Sequence, residues 1–286
     1  MTGTLYLVST PIGNLEDITL RALRVLRDAH LIAAEDTRRT ARLLHHYQIA
    51  TPTTSIHAHN EAARASSLLD RLKRGEHIAL VSDAGTPVLS DPGRHLIQAA
   101  LADGIRVEAI PGASAILAAL AMSGQGDEGF SFLGFPPFRS KARTQWFAAA
   151  GAEPRPVVFF EAPHRLLACL QDARESLGNR QIIVCRELTK VHEERLDKSL
   201  DEMIAHFGET EPKGEFTLIL PPEPRDADET PAELPAEHLL WHEFCELTSS
   251  GMGRREALSV IARRYQQPTR TVYAAVERAK QLADQA

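Results

Sequence analysis

The sequence has few features of a secreted, membrane-bound or disulfide-stabilised protein. Its 286 residues include only three cysteines, at widely separated positions. This odd number indicates a reducing compartment and argues against a disulfide framework or a zinc knuckle. The longest apolar run, "AILAALAM" from Ala115 to Met122, is far too short to cross a bilayer. No basic segment followed by a long apolar core opens the sequence, so we expect a cytoplasmic protein without a signal peptide or membrane contact.

The sequence also lacks an excess of positive charge and several common catalytic signatures. The formal net charge is −6 at pH 7, so binding to a nucleic acid would depend on local basic patches. There is no phosphate-binding P-loop, no G-x-S-x-G nucleophile loop and no H-E-x-x-H zinc motif. His57 and His59 stand two residues apart, but no third ligand follows at a characteristic spacing, so we predict no metal site.

What the sequence does contain is a regular alternation of strand-like and helix-like segments. In the first part of the chain, "TLYLVS", "LIAAED", "SIHAH" and "HIALVSD" alternate with amphipathic helical segments. This order is typical of a mostly parallel sheet with helices on both faces. The break "GQGDEG" is followed by a second set of the same kind. We therefore predict the α/β class, with two α/β domains that have mostly parallel sheets and a small helical extension.

Composition places the domain boundaries. We assign residues 1–123 to an N-terminal α/β domain and residues 124–222 to a C-terminal α/β domain. Residues 223–235 are rich in proline and acidic side chains, which is typical of an extended linker. We predict that residues 236–286 are wholly helical. Two helices joined by "QQP" in this tail resemble either a helix-turn-helix or a dimerisation module.

Residues capable of binding or chemistry cluster directly after the predicted strands. "TPIGN", "EDTRR", "HAHNE", "DAGTPVLSDPG" and "PGAS" follow strands of the first domain, and "GFPP", "EAPHR" and "RELTK" follow strands of the second. In open parallel sheets, the carboxyl ends of the strands border the ligand crevice. Loops are polar in most proteins, but eight such clusters at one kind of edge favour a binding site.

Two of these loops and three basic clusters each allow two interpretations. In "DAGTPVLSDPG", Gly85 lets the backbone approach a ligand closely, and Asp83 or Asp91 can accept hydrogen bonds from a ribose or an amine; the loop is equally compatible with plain turn chemistry. "PGAS" either directs backbone amides at an anion or simply begins a helix. Each basic cluster suits either a solvated helix face or a phosphate backbone. The three clusters are Arg38, Arg39 and Arg42; Arg139, Lys141 and Arg143; and Arg254, Arg255, Arg263 and Arg264.

In their order along the chain, these motifs resemble the tetrapyrrole-methylase superfamily and, within it, the ribosomal small-subunit methyltransferase I family. The motifs that carry the resemblance, over about residues 4–220, are "STPIGNLEDIT", "IAAEDTRRT", "HAHNE", "ALVSDAGTPVLSDPG", "IPGASA", "EAPHR", "RELTK" and "KGE". "AEDTR" together with "SDAGTP…DPG" is a highly specific combination. The chain departs from the family at Ala58, where an acidic residue is common, and at Ala113, where proline is common. The first departure weakens any catalytic role for position 58.

The resemblance implies two α/β domains with S-adenosylmethionine in the cleft between them, and a homodimer. It implies methylation of the ribose 2′-hydroxyl of cytidine 1402 in 16S ribosomal RNA, offered as free RNA or as the small ribosomal subunit. A methyltransferase for a tetrapyrrole or another small acceptor is the alternative. By this resemblance, the cofactor-binding residues are Pro11, Gly13, Asp83, Ala84, Gly85, Thr86, Ser114 and Ala115.

Methylation of a ribose hydroxyl also calls for a group that removes or orients its proton, because the hydroxyl is a poor nucleophile. The candidates are Asp36, Glu61, Glu161, Glu187 and Lys190. Lys190 qualifies if burial or Arg186 lowers its pKa, and Asp36 and Glu187 have the alternative role of holding arginines. We predict that Asp36, Glu61 and Lys190 line the acceptor side. The predicted RNA-binding residues are Arg38, Arg39, His57, His59, Asn60, His164, Arg165 and Arg186.

Overall fold

The chain forms two compact units, Met1–Glu223 and Pro224–Ala286. The computed structural model describes residues 2–57, 60–88, 91–126, 129–223, 234–265 and 267–283. The first unit contains two five-stranded sheets. The further division of this unit at residues 123 and 124 stays a prediction.

The first sheet is fully parallel, as predicted. Its strands lie in the order β3-β2-β4-β1-β5. Because every strand is parallel to its neighbours, the carboxyl ends of all five strands lie at one edge of the sheet. The strands are β1 (Thr4–Val8), β2 (Leu31–Ala34), β3 (Thr53–Ser55), β4 (Ile78–Val81) and β5 (Arg106–Ile110). The helices are α1 (Leu20–Asp28), α2 (Thr37–His46), α3 (Glu61–Lys73), α4 (Arg94–Ala102) and α5 (Ala115–Ser123), with a short 3-10 helix at Leu15–Asp17.

Helix α1 shows why these segments form amphipathic helices. The Thr19 hydroxyl accepts a hydrogen bond from the Ala22 amide and caps the first turn. The apolar residues recur at helical spacing, so Leu23 and Leu26 face the sheet. Helices α3 and α4 cover the opposite face of the sheet, where residues such as Leu72 pack. Burial of each such leucine stabilises the fold by about 1.5–3 kcal/mol.

The second sheet is mixed, which corrects the prediction of a mostly parallel sheet. The strands lie in the order β6-β7-β10-β8-β9. Only the pair β6 and β7 is parallel, and the other three neighbouring pairs are antiparallel. The strands are β6 (Ser131–Phe132), β7 (Val157–Glu161), β8 (Gln181–Arg186), β9 (Glu194–Ser199) and β10 (Phe216–Leu220). The helices are α6 (Ser140–Gly151), α7 (Pro163–Leu177) and α8 (Leu200–Glu209).

The predicted direction of β10 is wrong because β9 was not predicted from the sequence. The segment "ERLDKS" has a single apolar residue, Leu196, since β9 is an edge strand. Without β9, β8 and β10 read as a strand-helix-strand unit, which would be parallel. Instead β9 runs back along β8, so α8 returns the chain with β10 antiparallel to β8. The strand predicted over residues 55–59 is displaced, because β3 spans Thr53–Ser55 and residues 56 and 57 lie outside it; residues 58 and 59 lie outside the described residues.

Helix α5 packs the two halves of the first unit together. Its residues Ile116 and Leu120 lie in one core cluster with Val158, Ile183 and Ile219 of the second sheet. The N-terminus of α5 follows the carboxyl end of β5. The binding edge of the first sheet is therefore held against the second sheet by a buried apolar contact. Helices α6, α7 and α8 cover the other face of the second sheet.

All three cysteines are free thiols. Cys169 and Cys185 are buried in the second half of the first unit. Burial raises the pKa of the Cys169 thiol, and the nearby Glu161 carboxylate raises it further. Burial likewise raises the pKa of Cys185 to about 11. Both thiols are therefore poor nucleophiles.

The described residues of the second unit form three helices, in the part of the chain predicted to be helical. These are α9 (Glu237–Ser249), α10 (Arg254–Arg264) and α11 (Thr269–Ala283). They enclose a small core that includes Leu240 and Phe244. Several of the arginines pair with glutamates of neighbouring helices, as Arg254 does with Glu277 at 3.3 Å. Across the described ranges, no helix is both long and apolar enough to cross a membrane.

Candidate functional site

A cleft of about 440 Å³ lies at the carboxyl edge of the first sheet. We call it the first cavity. Its walls come from the loops after β1, β2, β4 and β5 and from residues of the second sheet and its loops. A volume of this size is within the range of small-molecule sites. The lining residues are Ile12, Glu35, Arg39, Asp83, Ala84, Gly85, Thr86, Asp91, Ser114, Ala115, Ile116, Phe135, Phe160, Glu161, Ala162, Pro163, Gly214, Glu215, Phe216 and Thr217.

A second cavity of about 330 Å³ adjoins the first. The two share Ile12, Arg39, Asp83, Ala84 and Glu215. Thus six of the eight predicted cofactor-binding residues, those of the β4 loop and of the α5 N-terminus, line the first cavity. The other two, Pro11 and Gly13, line the second cavity.

The loop after β1 is joined to the loop after β4 by backbone hydrogen bonds. The Thr10 amide donates to the Gly85 carbonyl at 2.9 Å, and the Gly85 amide donates to the Thr10 carbonyl at 3.0 Å. Gly85 has a φ of 81°, a conformation that favours glycine. The hydroxyls of Ser9 and Thr86 lie 3.2 Å apart. Main-chain contacts therefore join the loop that lines the second cavity to the loop that lines the first.

Gly13 allows the loop after β1 to contact the loop after β8. A Cβ atom at Gly13 would lie 2.5 Å from Lys190 Cγ and 3.0 Å from the Leu188 carbonyl oxygen. The neighbouring Asn14 amide donates to Thr189 Oγ1 at 3.1 Å. A side chain at position 13 would push these loops apart.

Five acidic residues line the first cavity, and three of them, Glu35, Asp83 and Asp91, lie near Arg39. Burial raises the pKa of Glu35, and the negative charges of Asp91 and Asp83 raise it further. Burial also raises the pKa of Asp91, to which Asp83 adds a smaller effect. Asp83 accepts a hydrogen bond from the Asp36 amide at 2.9 Å and lies 3.4 Å from the Arg39 guanidinium. The cavity thus carries more negative than positive charge and favours a cationic ligand.

The remaining walls offer an anion site and an apolar surface. Ser114 caps α5, its hydroxyl accepting from the Leu117 amide at 3.4 Å. The free amides of this first turn favour a carboxylate or phosphate. Ile12, Ile116 and Phe160 provide apolar contact. A ligand with a cation, a carboxylate and a flat apolar ring system fits this lining.

Backbone strain concentrates in the same loops. Among the described residues, four non-glycine residues have positive φ. Three of these, Val88 at 78°, Glu187 at 50° and Thr189 at 66°, lie in the loops after β4 and β8. Such conformations persist where the surroundings hold them, and they cluster at ligand sites.

The three predicted catalytic residues have other partners. Asp36 caps α2, and hydrogen bonds from the Arg38 side chain and amide lower the pKa of Asp36 to about 2. Glu61 is buried, and its Oε1 accepts from the amides of Gly93 at 3.1 Å and His95 at 2.7 Å, at the start of α4. These contacts are those of structural carboxylates.

Lys190 lines the second cavity, but its environment does not make it a base. Burial alone would lower the pKa of the Lys190 ammonium. Hydrogen bonds to Glu187 at 2.8 Å and Glu215 at 3.0 Å outweigh burial, so the pKa is raised. A role as a base would require a lowered pKa, and the contacts of Lys190 contradict that expectation.

The predicted RNA-binding residues divide into available and internally bonded side chains. The Arg38 and Arg39 side chains are 90% and 60% exposed, and His164 is exposed. Arg165 donates to the Pro136 carbonyl at 2.6 Å, and Arg186 donates to the Lys213 carbonyl at 2.7 Å.

The remaining predicted RNA contacts follow β3. The Asn60 side chain accepts from the His57 amide at 2.8 Å, which orders the start of α3. His59 lies outside the described residues, so the paired use of His57 and His59 stays a prediction.

Sequence reasoning missed Glu35 and did not commit to Asp91 as a site residue. Glu35 directly precedes Asp36 in "AEDTR", and the catalytic role was predicted for Asp36 rather than for Glu35. Phe135, Phe160 and Glu215 were also missed. The sequence signal for Phe135 and Phe160 was their position at strand ends of the second half, and Glu215 belongs to the "KGE" motif of the resemblance.

Comparisons with known proteins agree with this geometry. The profile of the tetrapyrrole (corrin/porphyrin) methylase family matches residues 4–204. A Synechocystis sp. protein named ribosomal RNA small subunit methyltransferase I is 45% identical over 274 residues, which are 95% of this chain and 96% of that protein. A Thermotoga maritima protein of the same name is 46% identical over 218 residues, which are 76% of this chain and 98% of that protein.

A solved structure shares the fold of the first unit. Diphthine synthase aligns with a TM-score of 0.62 over 77% of this chain and 90% of that chain, at 14% identity. The α/β class predicted from the sequence is thus confirmed. The chain belongs to the tetrapyrrole methylase family and, within it, to the ribosomal RNA small subunit methyltransferase I family.

Proposed function

We propose that the chain is the methyltransferase that transfers a methyl group from S-adenosylmethionine to the ribose 2′-hydroxyl of cytidine 1402 in 16S ribosomal RNA. The observation that carries this proposal is the first cavity, which joins carboxylates, a glycine loop and a helix N-terminus from both halves of the first unit. The named relatives, 45% and 46% identical, support the ribosomal RNA substrate.

The lining of the first cavity fits S-adenosylmethionine. Its sulfonium and ammonium charges match Asp83 and Asp91, and its carboxylate matches the N-terminus of α5. Ile12 and Ile116 offer an apolar surface for the adenine. When bound, the cofactor supplies a methyl group on a cationic sulfur, which leaves as a neutral thioether.

The protein has to orient the acceptor hydroxyl, exclude water and accept a proton. We assign proton acceptance to Glu35, because its raised pKa makes its carboxylate a stronger base than an ordinary glutamate. Asp36 positions Asp83 through its backbone amide. Lys190 holds the loop after β8 through Glu187 and Glu215.

The second cavity is the proposed entry side for RNA. Arg39 and Arg42 line it together with Lys190, and cations beside a cofactor cleft suit a phosphate backbone. We place the reaction in the cytoplasm, with free 16S RNA or the small ribosomal subunit as partner and a homodimer as the active form.

The test is a methyl-transfer assay with labelled S-adenosylmethionine. Small subunits and naked 16S RNA from a strain without this methylation are offered in parallel with uroporphyrin III. Label at one cytidine ribose is expected, and the better acceptor identifies the substrate form. Label on the porphyrin instead, or on none of the three with cofactor bound, contradicts the RNA proposal.

A further inference from the structure

Two phenylalanines project from the segment between β6 and α6. Phe138 is 78% exposed and Phe135 is 51% exposed. Phe135 lines the first cavity, and its ring centroid lies 5.6 Å from that of Phe160. Exposed aromatic side chains beside a ligand cavity mark a candidate binding surface. We call these two side chains the rim aromatics.

The backbone below Phe138 is fixed by arginines. Arg165 donates to the carbonyls of Pro136 at 2.6 Å and Pro137 at 3.2 Å. The buried Arg143 donates to the Phe138 carbonyl at 3.3 Å. The Arg165 guanidinium also lies 5.5 Å from the centroid of the Phe138 ring. An exposed ring on a fixed backbone loses little conformational entropy when a ligand covers it.

Cations flank the rim aromatics in the sequence. Arg139 directly follows Phe138, Lys141 lies three residues after it, and both are exposed. Arg143, the third member of this basic cluster, is buried and lies 2.6 Å from Asp172, so it is not available to a ligand. Exposed aromatic rings with adjacent cations match a ligand that has flat bases on an anionic backbone.

We propose that the rim aromatics stack against unpaired nucleobases of the RNA substrate beside the methyl acceptor, while Arg139 and Lys141 contact its phosphates. This inference rests on the proposed function and extends it to the way the RNA is recognised. Proteins bind single-stranded RNA by stacking unstacked bases on aromatic side chains. Phe135 lines the first cavity, which adjoins the second cavity on the proposed entry side for RNA, so a base stacked on it lies next to the reaction site.

The test compares two ligands of equal length and charge, a short single-stranded RNA and its abasic counterpart, with binding followed by fluorescence anisotropy. Phe138→Ala is expected to raise Kd for the base-containing RNA roughly 5- to 150-fold and to leave Kd for the abasic strand unchanged. Phe138→Tyr restores binding to within a few-fold. Leu20→Ala removes another exposed apolar side chain, 86% exposed on α1, and leaves both Kd values unchanged.

Two further measurements separate stacking from charge. Phe138→Trp places a fluorophore at the rim, whose emission should change with the base-containing RNA and not with the abasic strand. Arg139→Gln and Lys141→Gln should each reduce the slope of log Kd against log salt by about 0.7.

The inference is overturned if Phe138→Ala leaves both Kd values unchanged or raises both equally. It is also overturned if Phe138→Ala changes the sedimentation of the protein and not its RNA affinity, since the rim would then be an interface between chains. These binding measurements need no methyl transfer. The methyl-transfer assay with the wild-type protein tests the proposed function. The RNA-binding measurements with the variants at Phe138, Arg139 and Lys141 test this inference.

Discussion

Burial of Glu35 lowers the stability of the fold but strengthens this carboxylate as a base, which the proposed catalytic role requires. Its pKa is raised above that of an ordinary glutamate by burial and by the charges of Asp91 and Asp83. If ionised Glu35 accepts the proton, wild-type turnover falls as the pH is lowered through this raised pKa. Glu35→Gln should lower kcat by about 10²- to 10⁴-fold and remove this limb of the pH profile.

The same variant should be more stable than the wild type. A carboxylate whose pKa is raised by folding destabilises the fold above its unfolded pKa, because ionisation is easier in the unfolded chain. Glu35→Gln removes that charge, so its Tm at pH 7 should rise. Glu108→Gln, at the far strand β5 beside Arg106, is the control, with unchanged kcat. A lower Tm for Glu35→Gln would indicate a structural role instead.

Gly13 is expected to tolerate no side chain. Gly13→Ala places its Cβ against Lys190, Thr189 and the Leu188 carbonyl, and such overpacking destabilises by about 1–3 kcal/mol. Denaturant unfolding measures this loss, and the affinity for S-adenosylmethionine should fall with it. Gly208→Ala is the matched control, because nothing lies within 4 Å of its Cβ and a helical alanine stabilises by about 0.5–1 kcal/mol.

At the scale of elements, Glu61 holds the start of α4 against α3. Its carboxylate accepts two backbone amides of the α4 N-terminus. Glu61→Ala leaves buried donors unpaired and should lower the free energy of unfolding by about 1–3 kcal/mol. Below its Tm, the variant should keep kcat within a few-fold of the wild type. Loss of kcat in Glu61→Gln without loss of stability would instead restore Glu61 as a catalytic residue.

The sequence predicted the first sheet better than the second. Apolar runs such as "HIALVSD" separated by amphipathic helices specify buried parallel strands, and β1, β2 and β4 follow that pattern. Edge strand β9 has Leu196 as its one apolar residue, so hydrophobic periodicity could not reveal it. One missed element reversed the direction of β10, because strand direction depends on every preceding turn of the chain.

The candidate site could likewise be predicted only in part from the sequence. Loops at strand ends were predicted to meet, and Asp83, Gly85 and Ser114 do line one cavity. The amide partners of Glu61 lie 32 and 34 residues away in sequence, and Lys190 bonds Glu215, 25 residues away, as well as the nearby Glu187. Periodicity carries no information on such contacts, so these roles could not be predicted.

At the scale of the whole molecule, the cofactor should stabilise only one of the two compact units. The first cavity is built wholly from residues of Met1–Glu223. The Thermotoga maritima relative matches over 98% of its length while covering 76% of this chain. In calorimetry, S-adenosylmethionine at 100 times Kd should stabilise the first unit by about 2.7 kcal/mol. An equal shift in the melting of residues 224–286 would mean that the two units unfold together.

The burial of two of the three thiols gives the molecule a native attachment point for a probe. Cys169 and Cys185 are shielded and hard to ionise, whereas Cys245 on α9 is only half-buried. A maleimide dye should therefore react with one position per chain, without any engineered cysteine. Energy transfer from that dye to a labelled RNA would report how far the helical unit lies from the nucleic acid during turnover.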